Sequence, residues 1–104
     1  MREDRLLAYL EGACPGKEYR VSSAELERAL GITGTDLRKL VNRMRRKSIP
    51  IASNQRGYYY AATAGDVYGT IRQLRGMVNG LEAAIHGLEQ ALDRFSVEGG
   101  DPRG

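Results

Sequence analysis

The segment SSAELERALGITGTDLRKL, residues 22–40, places two helix starts on either side of a turn too short to reverse the chain. Ser22 with Glu25 three residues on has the capping-box spacing, which satisfies two backbone N–H groups reciprocally. Leu26, Ala29 and Leu30 form the expected inner stripe of that helix, and Gly31 supplies the left-handed position that stops it. After Ile32 alone, Thr33 with Asp36 offers a second cap, so a new helix is predicted over 34–47. Helices joined so tightly cannot pack antiparallel and must cross steeply, which is the helix-turn-helix arrangement. The inner face of the second helix is Leu37, Leu40, Val41 and Met44, spaced i, i+3, i+4, i+7.

The flanking segments extend this frame. Residues 2–12 read as a first helix with Leu6, Leu7 and Leu10 on one stripe, acids early at Glu3 and Asp4, and Gly12 near its end. A loop and a short extended piece over 19–21 follow. In SIPIASNQRGYYYA, residues 48–61, the period changes: Ile49 and Ile51 alternate with Pro50 and Ala52, NQRG has turn chemistry, and three tyrosines resume with β-propensity. This predicts a two-stranded hairpin with Asn54, Gln55 and Arg56 at its tip. Pro50 cannot donate to a ladder and confines its strand to an edge or an end. The expected fold class is mostly α with a small β-hairpin wing, a winged helix-turn-helix over 1–62 followed by a long coiled-coil helix.

That last helix is capped by Thr63 with Asp66 and runs over 63–95. Val67, Ile71, Leu74, Val78, Leu81, Ile85, Leu88, Leu92 and Phe95 alternate by four and three, a heptad pattern that assigns them to dimerisation. β-Branched residues at a with leucine at d suit a parallel pair, whereas an antiparallel pair sets Arg75 opposite Glu89 of its partner; the pattern admits both orientations. About thirty residues at 1.5 Å each reach roughly 45 Å, more than a small head can cover, so the distal half calls for a partner. Gly69, Gly76, Gly80 and Gly87 fall at outward positions and cost about 1 kcal/mol each relative to alanine. The Gly- and Pro-containing tail, residues 96–104, is expected to be disordered.

Charge is local. Residues 20–60 hold nine Lys/Arg against three Asp/Glu, while the segments before and after are weakly acidic, and the whole chain sums to +3. Six of those cations lie in RKLVNRMRRK, residues 38–47. A localised basic patch points to a polyanionic partner. On a helical wheel Thr35, Lys39, Asn42 and Arg46 lie opposite the leucines, flanked by Arg38 and Arg43. That stripe has the chemistry of major-groove reading: Arg and Lys for the guanine edge, Asn for the adenine edge, Thr for hydroxyl or methyl contact. Arg45, Lys47 and Arg56 are assigned to phosphates, which fix register without reading sequence. On that helix only Asp36 is acidic, so no acid spaced i,i+4 neutralises the run.

Residues 22–46, followed by IPIASNQRGYYYA, resemble the N-terminal winged helix of biotin-repressor-type regulators. The matching positions are Leu30 and Gly31 closing the first helix of the motif, Ile32 and Thr33 in its turn, and Gly57 and Tyr58 after the wing. The resemblance covers residues 20–61 and implies DNA binding through residues 35–46 and the wing. No ligase domain follows, so biotin and adenylate chemistry do not carry over. The layout is also similar to small phage or prophage regulators.

Catalysis is not expected. His86 is the one histidine, at an outward coil position; Cys14 is the one cysteine, in a loop, which excludes an intramolecular disulfide; and no metal-ligand spacing, phosphate loop or paired-carboxylate motif occurs. No cofactor or metal is expected. There is no leader-like N-terminus and no run of eighteen apolar residues, so the protein is expected to be cytoplasmic, nucleoid-associated when bound to DNA, with no membrane partner. The expected function is sequence-specific binding of double-stranded DNA by a homodimeric transcriptional regulator. Two rivals share the layout: a phage DNA-packaging or replication adaptor with an oligomerising stalk, and a protein-interaction winged helix without a DNA role.

Overall fold

The computed structural model describes residues 2–95. Its elements are helices α1 (Arg2–Ala13), α2 (Ser23–Leu30) and α3 (Gly34–Arg46), strands β1 (Ile51–Asn54) and β2 (Gly57–Tyr60), and helix α4 (Ala64–Ala91). Short 3-10 turns occupy Lys17–Tyr19 and Leu92–Arg94. The protein is therefore mostly α, with a two-stranded antiparallel hairpin and a long exposed C-terminal helix. Three short helices followed by a hairpin make a topology consistent with a winged helix-turn-helix. The expected tail, residues 96–104, lies outside the described residues.

Local chemistry sets the helix boundaries. Ser22 Oγ accepts from Glu25 N (3.1 Å), Thr33 Oγ1 from Asp36 N (3.1 Å) and Thr63 Oγ1 from Asp66 N (3.2 Å). The Asp66 carboxylate reaches back to Thr63 N (3.2 Å) and Ala62 N (2.9 Å), completing a reciprocal cap. The expected reciprocity at Ser22 takes another form: the Glu25 carboxylate receives the Ser22 hydroxyl at 3.4 Å. Gly31 ends α2 at φ 67° and ψ 39°, a left-handed conformation that L side chains resist. Beyond the Lys47 cap of α3, Ser48 is also left-handed (φ 68°), with Ser48 N donating to Arg45 O and Ile49 N to Met44 O in a Schellman pattern.

One apolar cluster holds the head. Leu6 and Leu10 of α1, Leu26 and Leu30 of α2, Leu37, Leu40, Val41 and Met44 of α3, Ile51 and Ala52 of β1, Tyr59 of β2, and the loop residues Cys14 and Val21 are all buried in it. Each large side chain so buried contributes roughly 1.5–3 kcal/mol relative to exposure. Ala29, expected on the inner stripe of α2, is exposed instead, and its carbonyl accepts from Arg5 Nη2 (3.1 Å). At 100° per residue Ala29 lies on the side of Leu26 away from Leu30, at the edge of the stripe.

The hairpin pairs Ile51 with Tyr60, Ala52 with Tyr59, Ser53 with Tyr58 and Asn54 with Gly57, leaving Gln55 and Arg56 as a two-residue turn. Pro50 precedes the first strand, as its missing donor requires. β2 also has a partner on its other edge: Val21 and Tyr58 exchange backbone hydrogen bonds (2.9 and 2.8 Å), and Tyr60 N donates to Cys14 O (2.8 Å). The extended piece expected over 19–21 thus shrinks to the single bridging residue Val21, because a 3-10 turn takes up Lys17–Tyr19. The Val21 carbonyl lies so close over Gly57 that a Cβ there would run into it.

The chain divides into two compact units, Met1–Arg72 and Gln73–Gly104. Within the first unit the opening turns of α4 bind the hairpin: Ser53 N donates to Thr70 Oγ1 (3.1 Å), and that hydroxyl donates to Asp66 O (3.0 Å). Along α4 the heptad residues Val67, Ile71, Val78, Leu81, Ile85 and Leu88 are exposed, as are Leu92 and Phe95 beyond it, and Leu74 is half-buried. A Cβ at Gly69, Gly76, Gly80 or Gly87 would meet nothing within 4 Å, and nothing in the structure explains these glycines.

Candidate nucleic-acid interface

α3 has two faces of opposite character. Leu37, Leu40, Val41 and Met44 are buried, while Thr35, Arg38, Lys39, Asn42, Arg43, Arg46 and Lys47 are exposed. The arrangement follows from the periodicity: a 3.6-residue repeat that satisfies the core with one stripe must present the other to water. Among the described residues, nothing buries Lys39 or Arg46.

The exposed cations divide by what holds them. Among the described residues, no hydrogen bond or ion pair engages the side chains of Lys39, Asn42, Arg46 or Arg56. Arg38 Nη2 donates to Thr35 Oγ1 at 3.3 Å, one turn back along the helix. Arg43 and Lys47 share a partner that inspection of the run itself does not reveal: Glu3 of α1, with Lys47 Nζ at 2.9 Å from Oε1 and Arg43 Nη1 at 3.7 Å from Oε2. The expectation that no acid neutralises the run therefore holds only along α3; packing brings one from α1. Arg2 of α1 also lies 4.0 Å from Asp36.

Arg45 differs from its neighbours. Its Nε donates to Ile51 O (2.8 Å) and its Nη2 to Ser53 Oγ (3.1 Å), so the guanidinium lies half-buried between α3 and β1. Burial pushes its pKa below the ordinary arginine value, with the Tyr58 hydroxyl partly opposing. Two charge-assisted hydrogen bonds offset that desolvation. Arg45, assigned to phosphates from the sequence, braces the helix against the hairpin. The sequence carried one cue, since Arg45 follows Met44 at the edge of the apolar stripe.

At the hairpin tip Gln55 and Arg56 are exposed, whereas Asn54 is half-buried and its Oδ1 accepts from Arg56 N (2.8 Å) and Gly57 N (3.1 Å). Asn54 shapes the turn that presents the other two. Of the residues assigned to DNA from the sequence, the fold brings Thr35, Arg38, Lys39, Asn42, Arg43, Arg46 and Lys47 onto the exposed surface of one helix. Arg45 and Asn54 are engaged internally, and Thr70 joins the head through a partner in the hairpin that the helical pattern alone does not reveal.

Among the described residues no group of three or more His, Cys, Asp or Glu is placed to hold a metal ion, and no helix is long and apolar enough to cross a membrane. His86 is exposed on α4, and Cys14 is buried in the core with its thiol pKa raised by desolvation and by the Glu25 charge. No protein-family model matches the chain, and neither a curated protein nor a solved structure matches it.

Proposed function

We propose that this chain is a homodimeric winged-helix protein that binds double-stranded DNA sequence-specifically, a transcriptional regulator resembling the DNA-binding part of biotin-repressor-type proteins. In this reading α3 enters the major groove, Asn42 and Arg46 with Thr35 and Lys39 read base edges, and Arg56 at the hairpin tip contacts the backbone. One observation carries it: Lys39, Asn42 and Arg46 form an exposed polar stripe, held by no partner among the described residues, on a helix whose other face is locked in the core. Such a stripe is rigidly presented and needs no rearrangement to meet a groove.

The exposed apolar stripe of α4 supports association with a second copy. Leu81 and Leu88 are 65% and 70% exposed, which is costly for leucines at regular helical spacing unless a partner covers them. Two linked readers convert the second half-site encounter into an intramolecular one. The same stripe also suits an oligomerising stalk of a DNA-packaging or replication adaptor, and mass separates the two: a dimer favours the regulator, a ring of eight or more subunits the adaptor.

The test is selection of bound duplexes from a random pool, followed by affinity measurement on the winner. Arg46→Ala or Asn42→Ala should weaken specific binding by about 1–3 kcal/mol. Unchanged affinity in both variants removes α3 as the reading element, and binding that is insensitive to salt favours a protein-interaction role over a phosphate-dominated one.

A further inference from the structure

Glu3 is one carboxylate serving two cations. Arg43 and Lys47 stand one turn apart on the same flank of α3, and each faces a different oxygen of Glu3, Nη1 to Oε2 at 3.7 Å and Nζ to Oε1 at 2.9 Å. Two cations gripping the two oxygens of a single anion is also how a DNA phosphodiester, with its two non-bridging oxygens, is held. We infer that Arg43 and Lys47 form a backbone-phosphate site that the DNA-free protein fills with its own Glu3, and that DNA binds there by displacing the carboxylate. This rests on the DNA-binding reading above and adds to it a specific ligand exchange.

The exposures favour exchange. The Glu3 side chain retains 25% of its accessibility, whereas Arg43 and Lys47 retain 53% and 58%. The cations can therefore be approached from outside while the carboxylate sits beneath them. Glu3 lies in the first turn of α1, where the helix dipole favours negative charge, so it keeps a stabilising environment when its cations turn toward a phosphate. Beside this half-neutralised pair, Lys39 and Arg46 present full charge. The interface thus has an open centre and a guarded flank.

The energetic consequence is uniform across sequences, because Arg43 and Lys47 in this role touch phosphates alone. Glu3 should weaken selected and unrelated duplexes by the same factor, and it should lower the salt slope because the cations it neutralises release fewer counterions.

The experiment measures full-chain binding to a selected duplex and to a scrambled duplex between 50 and 200 mM salt, for wild type, Glu3→Gln, Glu3→Ala, Arg43→Ala and Glu3→Gln/Arg43→Ala, with thermal melts confirming folding. Both Glu3 variants are expected to bind both duplexes about three- to tenfold tighter at the low-salt end, with a salt slope steeper by about one. Arg43→Ala should cost more in the Glu3→Gln background than in wild type. Weaker binding by both Glu3 variants would mean that Glu3 aligns the cations and would overturn the inference. So would unchanged binding, or a change confined to one duplex. A wild-type chain that binds neither duplex would instead overturn the DNA-binding reading itself.

Discussion

Arg45 and Ser53 are joined across the head: the Arg45 Nη2 lies 3.1 Å from Ser53 Oγ, while its Nε donates to the Ile51 carbonyl. Ser53 in turn donates its backbone N–H to Thr70 Oγ1. The end of α3, the first strand of the hairpin and the opening turns of α4 are thereby linked in one hydrogen-bonded chain. Adjacent arginines should consequently fail in opposite ways. Arg45→Ala leaves half-buried acceptors without their charged donor and should cost about 1–3 kcal/mol of stability. Arg46→Ala should change stability by no more than about 0.5 kcal/mol while weakening DNA binding. Denaturant midpoints of the two variants check the contrast.

Gly57→Ala should be among the most damaging single-methyl additions in the head. A Cβ there collides with the Val21 carbonyl and comes within 3.2 Å of Ser22 Cα, and these backbone atoms are pinned by the Val21–Tyr58 hydrogen bonds. Overpacking against backbone costs roughly 1–3 kcal/mol. A thermal melt lowered by less than a degree would contradict this account of the hairpin's seat.

Ser48→Gly should stabilise the fold. Ser48 occupies the left-handed position at the end of α3 with φ 68°, where glycine escapes a Cβ penalty of about 1–2 kcal/mol but loses part of that gain to greater chain entropy when unfolded. The expected net gain is about 0.5–1 kcal/mol, read from the shift in denaturant midpoint.

Lysines in place of Leu81 and Leu88 together should convert a dimer to a monomer by light scattering, since both residues sit on the exposed stripe of α4. Affinity for a duplex bearing two half-sites should then fall by about a hundredfold or more, toward that for a single half-site. An unchanged mass would show that association uses another surface.

Alkaline solution should destabilise the head through Tyr59. Tyr59 is buried in the core, and desolvation first, the Asp66 charge second, raise its phenol pKa above the ordinary 10.0. The unfolded chain releases this proton at lower pH than the folded one, so stability is fully present below about pH 10 and is lost as pH rises toward the folded value. Tyr59→Phe should flatten that decline, measured as denaturant midpoints across the alkaline range.

The helices of the head, their caps and the place of the hairpin were legible from the chain because their determinants are local. Ser22, Thr33 and Thr63 each act on a backbone N–H three residues away, and the leucine spacing of α3 declares its buried side. Periodicity can say which residues face outward, but not what stands beside them. Lys47 meets Glu3 across forty-four positions, Ser53 meets Thr70 across seventeen, and Arg45 meets Ser53 across eight. Those pairings depend on how α1 and the hairpin pack against α3, and they separate a brace, a guarded pair of cations and an open stripe that look alike as a run of basic letters. Charge and hydrogen-bond partnership are properties of proximity, and proximity between distant segments exists only once the core has closed.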